Sequence, residues 1–274
     1  MTESSPPGTA RIFPRTALGQ HFLVDQGALR RVLAAAELEP TDVVVEVGPG
    51  TGLLTRLLAE RAARVIAVEL DEGLVAHLRE SLSSFTNLTV LHGDGREWDP
   101  ATVGEPYKVV SNLPYFAAVP IVRRFLECSL PPSLMVVTVQ REVAQAMAAL
   151  PGKMRLLSVA IQLYGRPRIM GYIHPGSFRP PPKVTSAILR IQVYPKPALP
   201  LLEDTDAFFR VVRAGFSAPR KQLRNSLSHA LDLPGPRVEE VLGQAGIEPR
   251  LRAETLSLEE WNRLYDAFRG QGLC

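Results

Sequence analysis

The spacing of apolar residues changes repeatedly along this chain, and the changes predict its elements. "DVVVEVG" (42–48) is a β-branched run that closes on glycine, while "GLLTRLLAERAA" (52–63) repeats its apolar residues at helical spacing. "RVIAVEL" (64–70) reads as a strand again, followed by the amphipathic "DEGLVAHLRESL" (71–82). "LTVLHGD" (88–94), "YKVVSN" (107–112) and "LMVVTVQ" (134–140) are further strands, with "PIVRRFLECSL" (120–130) a helix before the last. Such alternation predicts a Rossmann-like α/β sheet with helices on both faces and a ligand site beyond the carboxyl ends of its strands. After Gln140 the pattern predicts a helix, a proline-rich loop "GSFRPPPK" (176–183) and a strand "VTSAILRIQV" (184–193). "YPKPALPLLED" (194–204) reads as a linker. Beyond it only helices are expected, at roughly 205–215, 219–231, 236–245 and 257–269, the last opened by a Ser257–Glu260 capping box. The expected domains are residues 11–200 and a small all-helical unit over 201–274, after a disordered segment 1–10.

Composition narrows the class. A chain of 274 residues that is 46% hydrophobic and 22% charged is an ordinary globular protein, and no apolar run approaches a membrane span. "MTESSPPGTA" has neither the basic start nor the apolar core of a signal peptide, so a cytoplasmic location without a membrane partner is expected. Cys128 and Cys274 lie far apart and the five histidines are scattered, so no metal is expected.

The net charge of +3 conceals an uneven distribution. Residues 41–110 hold six basic against eleven acidic side chains, whereas 141–200 hold nine against one. Arg210, Arg213, Arg220, Lys221 and Arg224 form a second basic group with no acid between Ala207 and Leu231. A polyanionic partner on one side of the molecule would account for both. A solvated helix face is the other reading of Arg220, Lys221 and Arg224.

"EVGPGTG" places Gly48, Gly50 and Gly52 between a strand and a helix, where the missing β-carbons let a ligand approach the backbone. The spacing differs from the dinucleotide fingerprint G-x-G-x-x-G, and no P-loop is present. Glu69 closes the next strand, where a carboxylate can accept both hydroxyl hydrogens of a ribose. Asp94 closes the one after, placed to accept from an exocyclic amine. Glu69 would serve NAD equally well; Asp94 and the glycine spacing favour S-adenosylmethionine. "NLPY" (112–115) follows a fourth strand. An adenine amino group is a poor nucleophile because its lone pair is delocalised into the ring. The Asn112 amide oxygen and the Leu113 carbonyl, exposed by the bend at Pro114, can accept its two N–H bonds and localise that pair. Tyr115 offers a flat face for the base.

With these motifs in order at successive strand ends, the chain resembles the ribosomal RNA adenine dimethyltransferases. "LGQHFL" (18–23), "SFRPPPKVTSAIL" (177–189) and "FSAPRKQLRNSL" (216–227) extend the resemblance across nearly the whole chain after residue 10. It is nearest to the bacterial type that dimethylates two adjacent adenosines near the 3′ end of 16S rRNA. The resemblance implies a class I methyltransferase sheet, mostly parallel and of about seven strands, with a helical RNA-binding domain. It implies a monomer that binds 16S rRNA in an immature small subunit. It assigns Gln20, His21 and Leu23 to the methionine end of the cofactor, Gly48 and Gly50 to its backbone approach, Glu69 to its ribose and Asp94 to its adenine. Asn112, which also borders the cofactor, Leu113, Pro114 and Tyr115 hold the target base, with Phe178 on its other face; a buried anchor for the proline loop is the other reading of Phe178. His21 stands where the family usually has asparagine, and Phe116-Ala117-Ala118 where it usually continues with Ile-Ser. Competing readings are a large-subunit methyltransferase of the macrolide-resistance type, an RNA-binding assembly factor whose methylation is secondary, and a nicotinamide oxidoreductase.

Overall fold

The computed structural model describes residues 20–199, 202 and 204–273; the expected disordered segment 1–10 lies outside them. In chain order the elements are β1 (Phe22–Leu23), α1 (Gln26–Ala36), β2 (Val43–Val47), α2 (Leu53–Ala59), β3 (Arg64–Glu69), α3 (Glu72–Ser81), β4 (Leu88–His92), β5 (Lys108–Asn112) and α4 (Ala118–Leu126). Then come β6 (Leu134–Gln140), α5 (Arg141–Met147), α6 (Leu156–Gln162), β7 (Gly165–Ile173), β8 (Phe178–Arg179), β9 (Ser186–Val193), α7 (Thr205–Phe216), α8 (Leu223–Leu231), α9 (Gly235–Gln244) and α10 (Leu258–Gly270).

Seven strands form one sheet in the order β4-β3-β2-β5-β6-β9-β7. The first five run parallel, and β9 and β7 are antiparallel to their neighbours. Every residue of β2 is buried, as a parallel strand covered on both faces requires. One face packs Val45, Val109, Val137 and Leu189 against Ile121 and Phe125 of α4. The other packs Val44, Val110 and Val136 against Leu29 and Val32 of α1 and Leu58 of α2. Helix starts follow local chemistry: Asp25 caps α1 through Ala28 N–H, and Asp71 caps α3 through the N–H groups of Gly73 and Leu74.

The structure adds β1, α1, β8 and a second helix after Gln140, α6, to the expected elements, and differs from the sequence expectation in three further places. The strand β7 was not expected, because Pro167, Gly171 and two arginines break its apolar pattern. It is an edge strand with a bulge between Ile169 and Gly171, a place where proline and glycine are tolerated. Helix α8 begins at Leu223 rather than 219, since residues 217–221 are turns and bends. The helical core, built on Phe208, Leu227, Val241, Trp261 and Phe268, also takes in Met154, Val159, Ala160 and Leu163 from α6 and the loop before it. The expected linker is tied down there: Tyr194 N–H donates to Tyr164 O and Ala198 N–H to Leu163 O, and Leu199 is buried. Among the described residues, no helix is long and apolar enough to cross a membrane.

Candidate active site

Strand order reverses between β2 and β5, which is where an open α/β sheet leaves a crevice. Backbone pairing joins these strands at Val44–Lys108 and Val45–Val109. Farther along, the Ser111 hydroxyl, fully buried, accepts the Val47 N–H at 2.9 Å. A side chain thus satisfies the backbone where the two strands part. Above them lies an open cleft, lined from the carboxyl ends of β2, β3, β4 and β5 and by Gln20, His21 and Phe22.

The glycine loop forms the cleft floor. Gly48 and Gly50 have φ of 70° and 60°, and a β-carbon on Gly50 would come within 2.7 Å of the Phe22 ring. The Gly50 N–H donates to Glu69 Oε2 at 3.1 Å, and Asp71 N–H donates to Glu69 Oε1 at 3.0 Å. An ionised carboxylate offers about four acceptor sites, so two backbone donors orient Glu69 and leave capacity for hydroxyl groups. Burial pushes the Glu69 carboxyl above its ordinary value, opposed by backbone N–H groups of Asp71, Gly50 and Leu70. Nearby in β2, Glu46 is 1% exposed and its Oε2 has no hydrogen-bond partner among the described residues. Burial pushes Glu46 up to about 8, and the charge of Glu69 adds to the shift. Sequence reasoning passed over Glu46, although a lone acid inside "VVVEV" was a signal.

Asn112 is clamped at both ends of its amide. Its Oδ1 accepts from the Thr138 hydroxyl, and its Nδ2 donates to His21 O at 3.1 Å. Thr138 faces Asn112 across the β5–β6 ladder and is buried. The amide cannot flip without losing both bonds, and the carbonyl oxygen keeps one more lone pair. Thr138 was missed as well; a single polar residue inside "LMVVTVQ" was its trace. The Tyr115 ring lies 5.4 Å from that of His21, and its hydroxyl bonds Ser186 Oγ at 2.5 Å. Burial raises the Tyr115 hydroxyl, and the bond to Ser186 opposes this. His21 Nδ1 reaches Pro180 O at 2.8 Å, joining the segment before α1 to the proline-rich loop.

Other expected residues fall differently. Asp94 lines the cleft, but both its oxygens receive Arg96 Nε at 3.0 Å, and Oδ2 also takes Nη2. The Arg96 guanidinium holds the Asp94 carboxyl below its usual range. Arg96 was not anticipated. Leu113 and Pro114 line the cleft, with the Leu113 side chain rooted in the core. Phe178 is fully buried and does not line the cleft: it pairs with Leu23 and packs with Leu29, Val32 and Ile188. Leu23 is buried beside it and lines a smaller neighbouring pocket, whereas Phe22 lines the cleft. Arg220 and Lys221 are exposed in the turn before α8, whereas Arg224 pairs with Glu239 of α9.

A glycine loop, a buried carboxylate at the next strand end and a clamped asparagine at the switch point define a Rossmann-like class I methyltransferase. The family model described as ribosomal RNA adenine dimethylase matches residues 14–269, and the chain belongs to that family. It is 46% identical over 253 residues to the ribosomal RNA small subunit methyltransferase A of Dehalococcoides mccartyi, covering 91% of this chain and 87% of that one. The protein of the same name from Pelotomaculum thermopropionicum is 41% identical, with 95% and 93% covered. Among solved structures, the 23S rRNA methyltransferase ErmE superposes with a TM-score of 0.71 at 31% identity, covering 90% of this chain and 99% of that one. A dimethyladenosine transferase from Plasmodium falciparum gives 0.79 at 23% identity over 92% and 98%, a likeness of fold. Family members draw methyl groups from S-adenosylmethionine, and the cleft fits it. The glycine backbone at Gly50 admits close approach, and Glu69 presents oriented acceptors beside it.

Proposed function

We propose that this protein transfers methyl groups from S-adenosylmethionine to the 6-amino groups of two adjacent adenosines near the 3′ end of 16S rRNA. Its substrate is an immature small ribosomal subunit, and it acts as a monomer. Small-subunit enzymes at 46% and 41% identity support this substrate over the large-subunit alternative, whose solved representative stands at 31%. The observation that carries the reading is the clamped amide of Asn112 at the rim of a cleft fit for the cofactor.

Bound S-adenosylmethionine supplies an electrophilic methyl group. Gly48 and Gly50 let it lie against the backbone, Glu69 accepts its ribose hydroxyls, and Gln20 and His21 border its methionine end. Asp94 accepts from the adenine amine, sharing its carboxylate with Arg96. Asn112 Oδ1 and the Leu113 carbonyl accept hydrogen bonds from the target amine, from both hydrogens before the first transfer and from the remaining one before the second, and localise its lone pair; the proton lost at each transfer passes to solvent. Pro114 fixes the bend that exposes that carbonyl. Tyr115, held by Ser186, stacks the target base, and the fixed geometry supplies orientation without a covalent enzyme intermediate. Arg220 and Lys221 take RNA phosphates, with Arg224 behind them.

The test is transfer of labelled methyl to small subunits from cells lacking the protein, followed by nucleoside mapping. Label in N6,N6-dimethyladenosine of 16S rRNA is expected. Label confined to 23S rRNA, or none, would overturn the proposal.

A further inference from the structure

Phe116 follows directly after the NLPY motif and departs from the usual family continuation, and none of the roles proposed above uses it. It is 52% exposed, while Ala117 and Ala118 beside it are buried under the same turn. A single exposed apolar side chain is normal and proves nothing. Its setting is more specific. Phe116 lines the mouth of the cleft, and the Arg96 guanidinium lies 5.8 Å from its ring centroid. Arg96 is in turn held by the carboxylate of Asp94. A planar guanidinium bound on one side and laid over a ring on the other fixes that ring in place. The turn closed by Ala117 N–H on Pro114 O therefore presents two aromatic rings in succession. Tyr115 points inward to Ser186, and Phe116 points outward to solvent.

We propose that Phe116 is a substrate-binding residue that stacks the base next to the target adenosine, with Arg96 as the residue that positions its ring. The inference rests on the proposed function, because only an RNA chain puts a second base at the mouth while the first is in the cleft. Two consecutive rings, one buried and one at the rim, suit two consecutive nucleotides. Stacking on an exposed aromatic tolerates any base, so Phe116 grips the strand without reading its sequence. While one adenosine of an adjacent pair is in the cleft, the other rests on Phe116.

The test compares Phe116→Ala, Phe116→Leu and Phe116→Trp with the wild-type protein. Initial rates are read on undermethylated small subunits, and S-adenosylmethionine affinity by titration calorimetry. Phe116→Ala should lower kcat/KM for the subunit about tenfold, mainly through KM, in line with the usual loss of one base stack. Phe116→Trp should stay within about twofold of wild type, and Phe116→Leu should resemble the alanine variant, because a flat ring is needed. Arg96→Ala should give a smaller loss in the same parameter. Unchanged cofactor affinity in Phe116→Ala, which also reports an intact fold, is part of the expectation. The proposal is overturned if Phe116→Ala matches wild type, if leucine serves as well as tryptophan, or if the loss lies in cofactor affinity, which would make Phe116 a cover for the cofactor. If wild-type protein transfers no methyl group to the subunit, the proposed function itself fails, and this inference with it.

Discussion

In the cleft, Asn112 spends both ends of its amide on Thr138 and His21, and Glu69 spends an acceptor site of each oxygen on Gly50 and Asp71. In the turn before α8, Arg220 and Lys221 stand exposed, and only Arg224 is held, by Glu239. The difference suits the roles proposed for the two regions. Polarising one amine needs donors and acceptors already in place, because reorienting them during the reaction would add to the barrier. Gathering a polyanion needs charge at roughly the right distance, and long mobile side chains provide it without fixed geometry. Substitutions in the cleft should therefore act on single steps, while those in the turn act on binding as a whole.

The largest effect is expected at Asn112. Asn112→Ala should lower the rate at saturating subunit and cofactor about a hundredfold or more, as loss of a group acting in the transition state does. A single-turnover rate near wild type would move the polarising role elsewhere.

Next comes Glu69→Gln, which keeps the shape and removes the charge. It should weaken S-adenosylmethionine binding by about ten- to a hundredfold, the usual range for hydrogen bonds to a charged group. Calorimetry also reads its pH dependence. Because burial raises the Glu69 carboxyl, wild-type affinity should fall on acidification from a higher pH than an ordinary carboxylate would give. The glutamine variant should lack that component. Equal pH profiles would remove Glu69 from the ribose.

A smaller and more diffuse effect belongs to the turn. Reversing Arg220 and Lys221 together to glutamate should weaken RNA binding across sequences and flatten its salt dependence by about two units. Arg224→Ala, already paired with Glu239, should change the slope by less than one. Identical slopes for all three proteins would make the cluster a solvated face.

Legibility in the sequence followed the range of the interactions. The glycine loop, Glu69, Asp94 and NLPY could be read because each is a short segment at the end of an apolar run. Thr138 and Ser111 could not, since their roles depend on which residues lie across from them in the sheet. The strand β7 was hidden by residues that only an edge strand with a bulge accommodates. Phe178 was read as part of the site because its segment matches the family, whereas its pairing with Leu23 buries it. Arg96 could be seen as a charge near Asp94, but its contact with Phe116 joins the loop after β4 to the turn after β5, two segments the sequence keeps apart.

In the proposed mechanism, Asn112 works because Thr138 holds its amide. A double-mutant cycle in single-turnover methyl transfer, with saturating S-adenosylmethionine and subunit, tests it directly. Thr138→Val should slow transfer about tenfold in the wild-type background, the order of one hydrogen bond. In the Asn112→Ala background the same change should have almost no further effect, because no amide remains to be oriented. An equal slowing in both backgrounds would show that Thr138 and Asn112 act independently and would contradict the account.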